Sequence, residues 1–133
     1  MKPLPQPNAI TQRFWSSCAD GRFEFQHCRN CRHRQFPPRL ACTKCHGADL
    51  DWSEATGYGT IYSFTVVHRA PIDAFKADAP YVIAIVELEE GVRTMMNVRV
   101  PDPASVAIGM PVEMFFEPTA EGQPPLPQAR PRS

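Results

Sequence analysis

The chain has 133 residues, a formal net charge of zero at pH 7 and 43 % hydrophobic residues. This length suits one domain, or one small domain with an appendage. A neutral chain lacks the strongly basic face that is typical of nucleic-acid-binding domains, so the composition argues against a nucleic-acid partner. The N-terminus shows no apolar signal-peptide core, and no apolar run approaches the length of a membrane span. We therefore expect a cytoplasmic protein with no membrane partner and with reduced thiols.

The first segment, 1–26, predicts a short helix followed by a lead strand. Residues 9–20 show helical spacing, with one apolar face formed by Ile10, Phe14, Trp15 and Cys18. Gly21 is expected to end this helix. Two uses of the aromatic pair Phe14 and Trp15 stay open, because such side chains either pack on the rest of the chain or anchor a partner protein.

The second segment, 27–47, contains four cysteines in the pattern C-x2-C-x10-C-x2-C, namely Cys28, Cys31, Cys42 and Cys45. Each C-x-x-C pair can fold into a tight turn whose two sulfurs point at one ion, and two such turns supply four thiolates for a tetrahedral site. Four thiolates leave no open position for water or substrate. The pattern therefore predicts a zinc ribbon with a structural zinc rather than a catalytic one.

Other interpretations of these cysteines are less favoured. Two disulfides would suit a secreted chain, and a C-x-x-C redox pair needs a thioredoxin-like setting that the sequence does not show. Iron in a rubredoxin-like site uses the same ligands and stays open. His27 and His46 each follow or precede a ligand cysteine, but we expect both outside the metal shell, because four thiolates already complete it.

The third segment, 48–118, predicts a β barrel. A long strand with a glycine bend at 57–59 covers 52–68, a loop follows at 69–80, and further strands are expected at 81–88, 92–100 and 111–117. Five strands around one small core fit an OB-fold. The fifth would lie at 125–130 within the Pro-rich segment 119–133, where prolines favour an edge strand or a tail. The predicted class is mainly β.

Cys18 and His68 are the candidates for catalysis outside the metal segment. A cysteine nucleophile needs an activating base, and a histidine base needs an orienting partner; the sequence identifies neither. We expect Cys18 to be a buried apolar thiol and His68 to be a histidine at a strand end. No catalytic residue is therefore predicted.

The order of the motifs carries a family resemblance. The motifs are Phe14-Trp15, Gly21-Arg22-Phe23, the four cysteines with Phe36-Pro37-Pro38-Arg39 between them, and the run 57–68, with further matches at 79–81, 90–93 and 109–112. Together they resemble the family of unknown function 35, zinc-ribbon plus OB-fold proteins associated with acyl-CoA metabolism. The resemblance covers about 12–118. Residues 126–131 depart from the family's apolar last strand, so this strand is expected to be weak or completed by a partner.

The resemblance implies a non-catalytic accessory subunit of a thiolase-superfamily complex (a thiolase, a condensing enzyme or a retro-aldolase) that acts on acyl-CoA. It implies that the barrel docks on the catalytic chain and helps form the channel for coenzyme A and substrate. Two alternatives stay open. One is a nucleic-acid-binding module that uses Tyr62 and Phe64 as stacking aromatics. The other is an independent acyl-CoA-binding protein.

Arg34, Arg39 and Pro37 are the candidate contacts to a coenzyme A thioester at the joint with the partner. They lie in the hairpin between the two cysteine pairs, and a forked guanidinium suits phosphate oxygens. The alternative for Arg39 is to brace the ribbon against the barrel, and the alternative for Arg34 is simple solvation.

Overall fold

A computed structural model describes residues 8–68, 80–119 and 125–132. Over these residues the chain forms one α-helix, α1 (Gln12–Ala19), a 3-10 turn (Pro103–Ser105) and eight strands. The strands are β1 (Glu24–Cys28), β2 (Arg34–Gln35), β3 (Leu50–Glu54), β4 (Tyr58–Val67), β5 (Tyr81–Leu88), β6 (Arg93–Val98), β7 (Pro111–Glu117) and β8 (Leu126–Pro131). The predicted mainly β class is confirmed. The loop predicted at 69–80 lies outside the described residues except for its last residue. No helix in the described ranges is long and apolar enough to span a membrane.

Helix α1 is shorter than the predicted 9–20 because a turn precedes it. The Asn8 carboxamide oxygen accepts the backbone N–H groups of Ile10 and Thr11, at 2.9 and 3.0 Å, and the Asn8 carbonyl accepts the N–H of Gln12 at 2.8 Å, so Asn8 caps the turn that leads into the helix. At the other end the N–H of Arg22 donates to the carbonyl of Ser17. Gly21 makes this C-terminal motif possible, because its φ of +76° lies in the left-handed region that glycine adopts without strain.

Helix α1 packs on a three-stranded sheet of order β2-β1-β3 through an aromatic cluster. The Phe14 ring lies 4.9 Å from Trp15, 5.2 Å from Phe23 and 5.0 Å from Phe36, in edge-on arrangements between ring centroids. Such geometry adds to the free energy gained from burying the rings. The cluster joins the helix to the hairpin that carries Phe36.

Five strands close a barrel in the order β4-β5-β6-β8-β7, with β7 returning to β4. Neighbouring strands are antiparallel except β6 and β8, which run parallel at Val98 and Ala129. The barrel core contains the fully buried side chains of Ile61, Val82, Val86 and Val112. The predicted five-stranded OB-fold barrel is confirmed.

The expected long strand from 52 to 68 is two strands in two different sheets. β3 pairs with β1 of the ribbon sheet, whereas β4 begins the barrel. Gly57 lies between them with a φ of +89°, so the predicted glycine bend turns the chain from one sheet into the other.

Strand β8 corrects the expectation of an edge strand or a tail, because it lies between β6 and β7. It pairs with β7 from Leu126 to Pro131. The Ala129 carbonyl accepts a hydrogen bond from the N–H of Arg99 at 2.7 Å. The backbone N–H and C=O groups of the odd-numbered residues of β8 therefore face β6. Pro127 and Pro131 are odd-numbered, so the positions at which they lack an N–H face β6. The pairing of β8 with β6 is short, and the longer pairing with β7 keeps its hydrogen bonds.

A buried carboxylate ties α1 to β1. Glu24 is 6 % exposed, accepts a short hydrogen bond from the Ser17 hydroxyl, and pairs with the Arg13 guanidinium at 3.4 Å. Burial alone raises the pKa of Glu24, but the hydrogen bonds from Ser17 and Arg13 outweigh it and hold the pKa below its ordinary value. The ionised form is therefore favoured by folding.

We expect Glu24→Gln to lower the free energy of unfolding at pH 7 by about 1.5–3 kcal/mol, the usual range for hydrogen bonds to a charged group. The folded-state pKa is depressed, so this contribution is fully present above the ordinary pKa of glutamate and is lost as pH falls through the folded pKa. Urea unfolding at pH 7 and at acid pH measures both effects. Glu54→Gln, at an exposed position opposite Glu24 in the register, is the control. A Glu24→Gln loss no larger than the control would contradict the assignment.

Candidate metal centre and the adjoining groove

The four predicted ligand cysteines meet at one point of the ribbon. The Sγ atoms of Cys28 and Cys45 lie 3.6 Å apart, those of Cys31 and Cys42 lie 3.5 Å apart, and all four lie within 4.8 Å of one another. A tetrahedral zinc with Zn–S bonds of about 2.3 Å requires sulfurs about 3.8 Å apart. The four cysteines therefore form a site of the zinc-ribbon type, and the donor set fits the metal.

Two similar turns present these sulfurs. In the first turn the Arg32 N–H donates to the Cys28 carbonyl at 2.8 Å, and in the second the His46 N–H donates to the Cys42 carbonyl at 2.9 Å. Arg32 and His46 both follow the second cysteine of a pair and have φ values of 67° and 64°. The two C-x-x-C pairs thus adopt the same left-handed turn, which aims all four sulfurs at a common centre.

Backbone N–H groups support the thiolate form of the first cysteine in each pair. The N–H groups of Lys44 and Cys45 each lie 3.4 Å from the Cys42 Sγ, and the hydrogen bond from Cys45 lowers the pKa of Cys42 to about 6. The N–H of Cys31 likewise lowers the pKa of Cys28. Thiolate is the form that binds a metal.

The second cysteine of the first pair behaves differently. The His33 backbone N–H lowers the pKa of Cys31, but burial and the three neighbouring sulfurs outweigh it and raise the pKa to about 11. Four converging sulfurs cannot all ionise without a cation between them. Metal binding to this cluster is therefore coupled to proton release.

Histidines surround the cluster without belonging to it. The His27 Nδ1 lies 2.8 Å from the Ser53 hydroxyl, and the His33 Nε2 lies 3.1 Å from the Thr43 hydroxyl. Among the described residues the ligand cluster consists of four sulfurs and includes no imidazole. The geometry leaves His27 on the β1–β3 side of the ribbon, where it bonds to a neighbouring strand.

A pair of buried glutamines holds the hairpin between the cysteine pairs, and sequence reasoning missed it. The Gln26 side-chain oxygen accepts the N–H of Arg39 at 2.8 Å and the amide of Gln35 at 2.9 Å, while its own amide donates to the Arg39 carbonyl. Gln35 in turn accepts the N–H of Thr43 at 2.9 Å. The sequence shows only two separate glutamines. They lie opposite each other because the strand register pairs Gln26 of β1 with Gln35 of β2.

A groove of about 720 Å³ lies between the ribbon and the barrel. Arg29, Arg32 and Arg34 line it from the ribbon, and Glu90 lines it from the turn after β5. Arg29 is paired with Asp49 at 3.1 Å outside this lining. Glu54 also lines the groove, so three guanidinium groups near the metal site share it with the two glutamates Glu54 and Glu90.

Arg34, and not Arg39, braces the ribbon against the barrel. The Arg34 guanidinium donates to the Glu90 carbonyl at 2.8 Å and so braces the ribbon against the barrel, which corrects the expectation of simple solvation. Arg39 holds Gln26 through its backbone, and its exposed side chain makes no hydrogen bond or ion pair with any described residue. Pro37 is exposed and follows a cis peptide bond. Of the three predicted coenzyme A contacts, Arg34 alone lines the groove.

The remaining candidates differ in exposure. Phe14 is 4 % exposed and lies inside the aromatic cluster, whereas Trp15 is half-buried and presents more surface to a partner. Their role at an interface stays a prediction. Cys18 is fully buried, and burial raises the pKa of its thiol to about 12, so it is not an activated nucleophile. His68 directly follows β4 and is exposed.

The two halves of the chain match two described protein families. Residues 15–51 match "ChsH2, rubredoxin-like zinc ribbon domain" and residues 52–117 match "ChsH2, C-terminal OB-fold domain". The boundary between the matches falls within β3. The OB-fold match thus begins within the last strand of the ribbon sheet, before the chain enters the barrel at β4.

Curated relatives share this pair of domains. A DUF35 domain-containing scaffold protein of Methanothermobacter thermautotrophicus is 42 % identical over 95 residues, which cover 71 % of each chain. A second such scaffold protein, of Methanocaldococcus jannaschii, is 44 % identical over 67 % of this chain and 63 % of its own length. The probable enoyl-CoA hydratase alpha subunit of Thermomonospora curvata is 35 % identical over 98 % of this chain. The match spans only 40 % of that relative.

Solved structures show the same architecture. A chain of the "Ltp2-ChsH2(DUF35) aldolase" is 35 % identical, with a TM-score of 0.83 over 96 % of this chain and 98 % of that one. A DUF35 protein of Sulfolobus solfataricus, 12 % identical with a TM-score of 0.67, shares the fold. With a four-sulfur ribbon, a closed five-stranded barrel and these relatives, the chain belongs to the DUF35 family.

Proposed function

We propose that this chain is a non-catalytic accessory subunit of a thiolase-superfamily enzyme that acts on an acyl-CoA. The observation that carries the proposal is its likeness, over nearly the whole of both chains, to the DUF35 chain of the Ltp2-ChsH2 aldolase. The name of that protein joins a DUF35 chain to a second component. The name of the scaffold proteins supports a non-catalytic role, and that of the probable enoyl-CoA hydratase alpha subunit supports a chain that works within an acyl-CoA enzyme.

The chemistry of the described residues supports a non-catalytic role. A four-thiolate site has no open position for substrate, and the buried Cys18 thiol stays protonated at neutral pH. The hydroxyls of Ser53 and Thr43 lie within hydrogen-bond reach of the His27 and His33 rings, at 2.8 and 3.1 Å, but among the described residues no carboxylate hydrogen-bonds to either ring to orient it as a base. On this proposal the partner supplies the reacting groups, and this chain supplies surface and positioning.

We propose that the metal of the ribbon is zinc and that the protein is located in the cytoplasm. Zinc would be held by Cys28, Cys31, Cys42 and Cys45, and its chemistry there is to neutralise four thiolates and hold two turns together. The hairpin fixed in this way carries Phe36 to the aromatic cluster and Arg34 to the barrel. A reduced, metal-bound set of thiols is typical of a cytoplasmic protein.

We propose that a coenzyme A thioester is shared with the partner at the joint between ribbon and barrel. Arg34 is the first contact, because it lines the groove beside Arg29 and Arg32 and its guanidinium retains donors beyond the one given to the Glu90 carbonyl. Arg39, exposed and without a described partner, and Pro37 would reach a ligand only from the outer side of the hairpin. Phosphate oxygens suit such forked donors.

The metal is tested by elemental analysis of the purified protein. We expect one zinc per chain, and we expect Cys31→Ser to lose most of it while the barrel keeps its circular dichroism signal, because structural zinc contributes about 10 kcal/mol of apparent binding energy to the ribbon alone. Cys18→Ala changes a cysteine outside the site and should keep its zinc. Wild-type protein that contains iron, or no metal, would contradict the proposal.

The partnership is tested by isolating the tagged chain from its native host. We expect a thiolase-superfamily chain to co-purify in fixed stoichiometry and its activity on acyl-CoA to fall when the two are separated. If the chain is an independent acyl-CoA-binding protein, calorimetry will instead show acyl-CoA binding by the isolated chain. If it is a nucleic-acid module, it will bind single strands with a steep salt dependence. Either result without an enzyme partner would refute the proposal.

The ligand contact is tested by kinetics of the assembled complex. We expect Arg34→Ala to raise the apparent KM for the acyl-CoA roughly tenfold or more, since a hydrogen bond to a charged group contributes about 1.5–3 kcal/mol. Arg39→Ala tests the second candidate in the same way, and Arg22→Ala, at a surface arginine paired with Asp20, is the matched control. Zinc content and assembly are measured for each variant. An unchanged KM in an intact complex would rule out that arginine as a contact.

A further inference from the structure

Four of the six large apolar side chains that are exposed in the described part of the chain lie next to one another on the barrel. They are Met95, Ile85, Tyr62 and Ile108, at 71, 38, 47 and 71 % exposure. Met95 of β6 is directly opposite Ile85 of β5, and Ile85 is opposite Ser63, the neighbour of Tyr62 in β4. Ile108 precedes Gly109, whose N–H donates to the Ile61 carbonyl at 2.7 Å, one residue before Tyr62. We call these four residues the outer band.

The strand register itself turns the outer band towards solvent. Ala84, Val86, Thr94 and Met96, the chain neighbours of Ile85 and Met95, are 7 % exposed or less, so the alternate positions point outward. In β4 the pairing shifts between Ile61 and Ser63. An irregularity of this kind changes the direction in which a side chain points, here that of Tyr62. The exposure of the band therefore follows from regular, paired strands and not from loose chain ends.

The charge beside the band is internally balanced. The Arg93 guanidinium lies 3.8 Å from the centroid of the Tyr62 ring and pairs with Glu87 at 2.8 Å. OB-folds bind oligonucleotides on the face of the corresponding strands, where aromatics line a basic groove. Here that face is apolar, its arginine is already paired, and Phe64 packs against the core. The outer band thus suits an uncharged protein surface and not a polyanion.

The residue types of the band are those of an interface centre. Tyrosine and methionine are enriched in the buried centres of protein interfaces, and an exposed apolar patch of a few hundred Å² on a monomer marks an interaction site. A stable interface buries about 800 Å² on each partner, more than four side chains provide. A second copy held only by the band would therefore bind weakly, and a stable partner must also cover the surrounding polar surface.

We propose that the outer band is the surface on which the catalytic subunit docks, through an apolar and uncharged patch of that subunit, with Met95 and Tyr62 as anchors. This inference rests on the proposed function and adds the face of the barrel that the partner covers. The paired Arg93 and Glu87 form part of the polar rim around the anchors.

The experiment measures the affinity of the purified thiolase-superfamily subunit, identified by co-purification, for variants of this chain by titration calorimetry. We expect Met95→Lys to weaken binding by about 30-fold or more, since it places an unpaired charge at the centre of an apolar interface. Tyr62→Ala should weaken binding at least tenfold. Leu40→Lys is the matched control, because Leu40 is 77 % exposed and lies on the ribbon outside the band, and its affinity should stay within about threefold of the wild type.

The outcomes separate the two proposals. If the wild-type chain binds no enzyme subunit, the proposed function fails and the docking surface fails with it. If the wild type binds and Met95→Lys binds equally well, the proposed function stands and the docking surface is refuted. If Met95→Lys instead converts a dimer of this chain to a monomer in sedimentation while enzyme affinity is unchanged, the occupant is a second copy and the proposal is overturned.

Discussion

The convergence of four sulfurs within 4.8 Å is the constraint on which the rest of the structure depends. The hairpin between the cysteine pairs has only two residues of regular strand, so backbone pairing alone does not fix its position. Once the sulfurs are held, Phe36 reaches the ring of Phe14 and Arg34 reaches the Glu90 carbonyl. One metal-type site thereby positions both the N-terminal helix and the barrel against the ribbon.

The sequence predicted the elements whose signals are local. The cysteine spacing predicted the ribbon because both the residue types and their separation are demanded by a tetrahedral site, and alternation predicted the barrel strands. Alternation does not say which sheet a strand joins, so it predicts one strand where the structure has β3 and β4, of which β3 pairs with β1. The prolines of β8 were also misjudged, because the effect of a missing N–H depends on which neighbour it faces, and only the sheet order shows that.

The sequence was sufficient to predict the metal ligands, but not the contacts that surround the metal site. Contacts to the groove depend on residues far apart in the chain, as Arg34 and Glu90 are 56 residues apart. The composition of the hairpin gave no reason to prefer Arg34 over Arg39 as the brace. The buried pair Gln26 and Gln35 was invisible for the same reason, since a polar residue on a short strand is ordinarily solvated and becomes structural only when the register pairs it.

Closure of the barrel limits how a partner can recognise it. In this closed barrel each strand pairs with two neighbours over at least part of its length, which limits the strand edge that could extend a partner's sheet. Outward side chains are therefore the main means of recognising the barrel, and the exposed large apolar ones among the described barrel residues lie in the outer band. A partner bound in this way is free to differ in its chemistry. This freedom agrees with a family whose relatives are named as scaffold proteins, a hydratase subunit and part of an aldolase, because a shared docking fold does not fix the reaction of the enzyme it serves.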